Sequence, residues 1–222
     1  MLTCGNVGKT YATERGPVVA VRGIDLEMRR GEFVAVVGRS GSGKSSLMAM
    51  IGGLLRPSKG TVRIDDTDIW SLADDDLTDF RNRRIGFVFQ FASLLPTLRI
   101  IDNVALPALL GRRTDADAAY DRAAELLARF GLAAQLEAYP AELSSGQQRR
   151  AAIARALING PSLLLADEPT SDLDEETEAG IMDEFRTLNR DARMSFIMVT
   201  HNLRLAERAD RVFQIADGAP VS

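Results

Sequence analysis

At 222 residues the chain is long enough for one domain with a subdomain and for a sizeable buried core. It is 45% hydrophobic and 26% charged with a formal net charge of −4, so it lacks the basic excess of a nucleic-acid or polybasic membrane-surface protein. Its one cysteine, Cys4, excludes an internal disulfide and a cysteine-built zinc site. No run approaches the roughly 18 apolar residues of a spanning helix, and the first ten residues show no signal peptide.

The chain begins β-rich. Residues 18–28 carry alternating apolar side chains, and Arg29-Arg30-Gly31-Glu32 reads as a turn. Residues 33–37 are continuously apolar, as expected of a strand buried on both faces. A helix is predicted over 44–54, strands over 61–64 and 85–89, and a polar helix over 74–83. Residues 115–130 place Ala119, Ala123, Leu126, Leu127 and Phe130 at helical spacing and stop at Gly131. Another helix is predicted over 145–158, ending at Gly160-Pro161, so 91–160 reads as a helical insert. Strands over 162–166 and 195–200 flank a helix over 175–189, and 211–216 reads as a last strand. Strands alternating with helices imply an α/β core with a mainly parallel sheet. No internal repeat or low-complexity tract interrupts this order.

The chemistry starts at Gly38-Arg39-Ser40-Gly41-Ser42-Gly43-Lys44-Ser45, which fits the phosphate-loop spacing G-x-x-x-x-G-K-[ST] in full, between a buried strand and a helix. The glycines let backbone N–H groups turn toward phosphate oxygens, and the helix start adds partial positive charge. Lys44 is expected to reach the β- and γ-phosphates and the Ser45 hydroxyl to ligate Mg²⁺. The apolar run 163–166 then delivers Asp167-Glu168 to a strand's C-terminal end, where open α/β sheets bind ligands. Two adjacent acids alone can mark no more than a strand end. Beside an intact phosphate loop, Asp167 reads as the metal-side carboxylate and Glu168 as the general base for water.

Leu143-Ser144-Ser145-Gly146-Gln147 is close to the LSGGQ signature, and it precedes a helix and lies shortly before Asp167-Glu168. With the phosphate loop, it makes the sequence resemble the nucleotide-binding subunits of ABC transporters across essentially its whole length. That resemblance implies a P-loop NTPase (RecA-like) core, an N-terminal antiparallel β subdomain and a helical subdomain. Within a single ABC ATPase domain, 1–90 and 161–222 would form the ATP-binding core and 91–160 the helical subdomain with the signature.

By the same resemblance Tyr11 matches the aromatic that stacks on adenine, although a lone aromatic can also be core or edge packing. Gln90 matches the glutamine that senses Mg²⁺ and the attacking water. Ser171-Asp172-Leu173-Asp174 is similar to the loop that crosses the dimer interface, and His201 to the switch histidine on the γ-phosphate. Ser144, Ser145, Gly146 and Gln147 would close on the ATP of the opposite subunit in a homodimer. The sequence departs from the pattern at Ser145, where glycine is usual and where a side chain is expected to weaken or slow closure. It departs mildly at Ser46, where threonine is common.

Phe87-Val88-Phe89-Gln90-Phe91, Leu94-Leu95-Pro96-Thr97-Leu98 and Asp102-Asn103-Val104 are similar to the lipoprotein-release and macrolide-export branch. The implied protein is an ATPase with Mg²⁺ as cofactor, peripheral on the cytoplasmic side of the inner membrane. It would drive an integral membrane permease in export or release of a substrate, with no nucleic-acid partner. The alternative is a mechanotransmission ATPase that controls an extracytoplasmic process without transport. Residues 91–98 would either receive the permease or pack inside the helical insert.

Overall fold

The computed structural model describes residues 1–14, 16–111, 115–171 and 173–221. In chain order the elements are β1 (Leu2–Thr13), β2 (Gly16–Met28), β3 (Phe33–Val37), α1 (Lys44–Ile51), β4 (Lys59–Ile64), β5 (Thr67–Asp68), α2 (Asp74–Arg84) and β6 (Ile85–Val88). They continue with α3 (Ile100–Leu109), α4 (Ala116–Arg129), α5 (Ser145–Leu157), β7 (Leu163–Asp167), α6 (Glu175–Ala192), β8 (Ser195–Thr200), α7 (Leu203–Ala206), β9 (Arg211–Ala216) and β10 (Ala219–Pro220). The chain forms two compact units, Met1–Thr78 with Leu188–Ser222, and Asp79–Thr187.

The first unit holds an antiparallel sheet in the order β2-β1-β4-β5. Strand β1 pairs with β2 on one side and β4 on the other, so Leu2 faces both Met28 and Ile64. Leu2, Cys4, Val7, Leu26 and Val62 are buried from these strands. Gly5, Asn6 and Gly8 in β1 argue against a strand in sequence. Pairing on both edges overrides that preference, with irregular register at Cys4–Val7 and Asn6 held at φ 49°. Burial pushes the Cys4 thiol up to about 12, with the Asp25 charge adding to the effect.

In the same unit β10, β9, β3 and β8 lie side by side in that order. Strand β3 runs parallel to both β8 and β9, and all five of its residues are buried, which accounts for its unbroken apolar run. Phe33 and Phe196 meet across β3 and β8 with ring centroids 5.4 Å apart. The turn after β2 closes by Glu32 N–H donating to Arg29 O at 3.2 Å and Arg29 N–H donating to the Glu32 carboxylate at 2.7 Å. Helix α1 stops at Ile51, three residues short of the 44–54 reading, because Gly52-Gly53 follows and Gly53 takes φ 69°.

The second unit pairs β6 with β7 in parallel, from Ile85↔Leu163 to Val88↔Ala166. Helices α3, α4 and α5 pack on one another through Val104, Ala108, Ala123, Leu127 and Ile153, all buried. Each of the larger side chains gains about 1.5–3 kcal/mol from that burial. In α4 the spacing read from sequence holds: Ala119, Ala123 and Leu127 are buried. Helix α3 was not among the predicted elements. It carries Pro107 inside the helix, where the ring removes one backbone donor from the ladder, and the Pro107 carbonyl accepts from Asn82 Nδ2 at 2.7 Å. Among the described residues no helix is long and apolar enough to cross a membrane.

Candidate nucleotide site

In the first unit the phosphate loop leaves the C-terminal end of β3 and opens α1. Gly43 stands at the helix N-cap with φ 99° and no side-chain cap, which leaves the first backbone N–H groups of α1 available to an anion. The loop is too tight for side chains: a Cβ on Gly38 would lie 2.2 Å from the Ile215 carbonyl oxygen, and one on Gly43 would lie 2.4 Å from that of Ala20. Lys44 is buried and curls back, its Nζ donating to the carbonyls of Gly38 at 2.8 Å and Arg39 at 2.9 Å. Ser42 Oγ is buried with no hydrogen-bond partner among the described residues, which leaves the desolvation of a polar atom uncompensated. Arg39, Ser40 and Ser45 are exposed on the loop.

Tyr11 is not a core residue. The residue is 37% exposed, and its hydroxyl shares a hydrogen bond with Ser46 Oγ at 3.2 Å, which ties β1 to the first turn of α1. His201 is exposed directly after β8. Because Val37 pairs with Thr200, His201 and the phosphate loop leave the same edge of neighbouring strands.

The second unit repeats that arrangement. Val88 pairs with Ala166, so Gln90 and Asp167-Glu168 also leave one edge of two neighbouring parallel strands. Glu168 takes φ 45°, in the left-handed region. The turn after it is pinned by Ser171, whose N–H and hydroxyl both donate to the Glu168 carbonyl, at 3.2 and 3.1 Å. Leu173 is half-buried; Asp172 lies outside the described residues. Asp174 accepts from Thr177 N–H at 2.9 Å and Thr177 Oγ1 at 2.7 Å, and these bonds, the backbone one foremost, hold its carboxyl below the usual range.

The signature residues open α5 with a reciprocal cap. Gln147 N–H donates to Ser144 Oγ at 3.2 Å, and Ser144 N–H donates to Gln147 Oε1 at 2.9 Å. Ser144 is exposed and keeps its own O–H proton for a further acceptor. Ser145 has ordinary right-handed helical backbone at the first position of α5 and is exposed, so serine is accommodated there without strain. Gly146 is half-buried beside Thr177.

Sequence reading assigns no structural role to three side chains that organise this unit. Arg149 is buried and donates from Nη1 to the Phe89 carbonyl at 2.5 Å and from Nη2 to the Gln90 carbonyl. Arg155 donates to the carbonyls of Ser93 and Ala92, at 2.8 and 2.9 Å, and burial pushes its guanidinium pKa down. Asn103 is fully buried and fastens the loop before α3 through Leu95 N–H and the carbonyls of Leu95, Leu98 and Arg99. The one available signal for the two arginines was their place in an alanine-rich helix that carries three.

The loop they hold turns Phe91 outward at 73% exposure and Leu95 at 44%, whereas Leu94 and Leu98 are half-buried. Next to it is a cavity of about 370 Å³ lined by Phe87, Phe89, Leu106, Pro107 and Leu110 among others.

No group of three or more His, Cys, Asp or Glu among the described residues could hold a metal alone. The predicted donors, the Ser45 hydroxyl and the Asp167 carboxylate, are hard oxygens. They fit Mg²⁺, which usually takes one or two protein ligands and completes its shell with phosphate oxygens and water.

Residues 21–171 match the family described as ABC transporter. The chain is 46% identical over 220 residues to the lipoprotein-releasing system ATP-binding protein LolD of Pseudomonas fluorescens, covering 98% of this chain and 96% of that one. This chain belongs to the ABC transporter family. As a member it is an ATP-binding, ATP-hydrolysing subunit, and its mixed α/β architecture is that of an ABC cassette. It is also 44% identical over 214 residues to the macrolide export ATP-binding/permease protein MacB of Syntrophobacter fumaroxidans, covering 96% of this chain but 30% of that longer one. Among solved structures, the cassette MJ0796, in a dimeric post-hydrolysis state bound to ADP and Pi, matches with a TM-score of 0.94 and 38% identity. That match covers 100% of this chain and 97% of the other.

Proposed function

We propose that this ABC ATPase is the energising subunit of a lipoprotein-releasing system and works as a homodimer. In this reading it sits peripherally on the cytoplasmic face of the inner membrane, against a permease. The observation that carries nucleotide binding is the tight loop around Gly38 and Gly43, with an uncapped α1 and an orphaned Ser42 Oγ. The substrate class rests on the 46% identity to LolD across both chains. Homodimer formation is supported by the dimeric state of the MJ0796 cassette.

Tyr11 holds the adenine by stacking. The backbone of Gly38–Ser46, with Arg39, Ser40, Gly41, Ser42 and Gly43, wraps the phosphates, and Lys44 moves from its carbonyl partners to the β- and γ-phosphates. Ser45, Asp167 and Gln90 would hold Mg²⁺, which when bound neutralises phosphate charge. Glu168 takes the proton of the attacking water, and His201 stabilises charge on the transferred group. Ser144, Ser145, Gly146 and Gln147 of the opposite copy close on the γ-phosphate, with Ser171, Asp172, Leu173 and Asp174 at the dimer contact. Residues 91–160 serve as the helical subdomain, and 1–90 with 161–222 as the ATP-binding core. Exposed Phe91 and the neighbouring apolar cavity form the face offered to the permease.

The test is Glu168→Gln. It should still bind ATP, accumulate as a dimer in sedimentation, and turn over about 10²–10⁴-fold more slowly. With the permease in vesicles it should stop ATP-dependent release of a lipoprotein that the unaltered chain supports. Wild-type turnover would remove Glu168 from its role; hydrolysis without lipoprotein release by the unaltered chain would reject the substrate class.

A further inference from the structure

Five consecutive backbone carbonyls around Gln90 are engaged within the second unit. Arg149 takes those of Phe89 and Gln90, Ser93 Oγ takes that of Phe91 at 3.1 Å, and Arg155 takes those of Ala92 and Ser93. Both arginines stand on α5, the helix whose start carries Ser144 and Gln147. Below the clamp α5 presses directly on β6. A Cβ on Gly86 would lie 2.4 Å from the Ala156 carbonyl oxygen, so helix and strand have no slack between them.

Two guanidinium groups, one of them in a residue only 6% exposed, donate to the main-chain carbonyls of this loop. A loop that needed only to be tethered would be served by ordinary backbone pairing. The segment left projecting from the clamp includes the exposed side chains of Gln90 and Phe91. Each guanidinium is a planar fork that grips two carbonyls at a fixed separation. It therefore sets the direction of the backbone as well as its place.

We propose that Arg149, assisted by Arg155, is a positioning residue for ATP hydrolysis. It fixes the backbone that aims Gln90 and makes that backbone and the signature helix move as one piece. A force applied at Phe91 then reaches Ser144 without first bending the loop. The proposal rests on the assignment of Gln90 to ATP chemistry made above.

The experiment is a double-mutant cycle on the full chain with Mg²⁺-ATP, using Arg149→Gln, Gln90→Ala and the pair. Arg149→Gln should lower kcat by about 10- to 100-fold through misplacement of Gln90, with KM for ATP within about twofold because the phosphate loop is untouched. The pair should be no slower than the slower single variant. Arg149→Lys, with one donor head in place of the fork, should fall between Arg149→Gln and the unaltered chain. Should Arg149→Gln fail to fold in a thermal melt, the same cycle is run with Arg149→Lys. Losses that multiply in the pair, or unchanged kcat in a folded Arg149 variant, would overturn the clamp while leaving Gln90 in place. Wild-type turnover by Gln90→Ala would instead remove the Gln90 assignment, and the clamp with it.

Discussion

Gly43 shows how much one residue position decides. Its φ of 99° is open to glycine and strained for any other residue, and a Cβ there meets the Ala20 carbonyl at 2.4 Å. Gly43→Ala should therefore cost about 1–3 kcal/mol of stability, read as a lower thermal midpoint, and should abolish ATP binding in calorimetry. Glu168 shows the opposite compromise. A carboxylate is kept at φ 45°, where glycine would sit without strain, and two bonds from Ser171 hold the turn. A side chain retained at such a backbone position is consistent with chemistry that glycine cannot perform.

At the level of elements, α3 is anchored at its first turn by charge. Arg99 grips Asp102 through two nitrogens, at 2.7 and 2.9 Å, and reaches Glu137 at 2.6 Å. The Arg99 hydrogen bonds hold the Asp102 carboxyl below its ordinary value, against the opposing effect of burial. A carboxyl with a depressed folded value stabilises fully above its unfolded value and loses that contribution as pH falls through the folded one. Stability should therefore fall as acidification passes below the ordinary carboxylate range toward the depressed folded value, and Asp102→Asn should flatten part of that fall. Denaturant midpoints measured across that range check it.

The elements that could be read from sequence were those whose local pattern agreed with their surroundings. They include the unbroken apolar β3, the helical spacing of α4, and β8, whose bounds Ser195–Thr200 are those read from sequence. Strand β1 was hidden because Gly5, Asn6 and Gly8 speak locally for a turn, and only pairing to both β2 and β4 makes it a strand. Helix α3 was hidden because Pro107 looks like a stop, and only packing against α4 and α5 carries the helix past it.

For the molecule as a whole, the nucleotide-site motifs were legible because backbone conformation demands particular residues at fixed spacing, glycine at 38 and 43 above all. The clamp of Arg149 and Arg155 was not, since a guanidinium in a helix is ordinary until its acceptors, 59 to 63 residues away in the chain, are seen. Ser145 is the position where whole-molecule behaviour should respond to a small change. Its side chain is exposed at the start of α5 and takes no part in the cap between Ser144 and Gln147. In a Glu168→Gln background, Ser145→Gly should tighten the ATP-bound dimer by about 1 kcal/mol, roughly fivefold, by relieving crowding at closure. Sedimentation at graded protein concentrations would show it, and an unchanged or weaker dimer would count against crowding.

The burial of Cys4 has a practical use. The chain's only thiol is shut inside the antiparallel sheet and is overwhelmingly protonated at neutral pH. A cysteine placed on the surface would then be the one group that takes a maleimide dye, with no native residue to remove first. Distance changes during the ATP cycle could be followed by fluorescence on an otherwise unaltered protein.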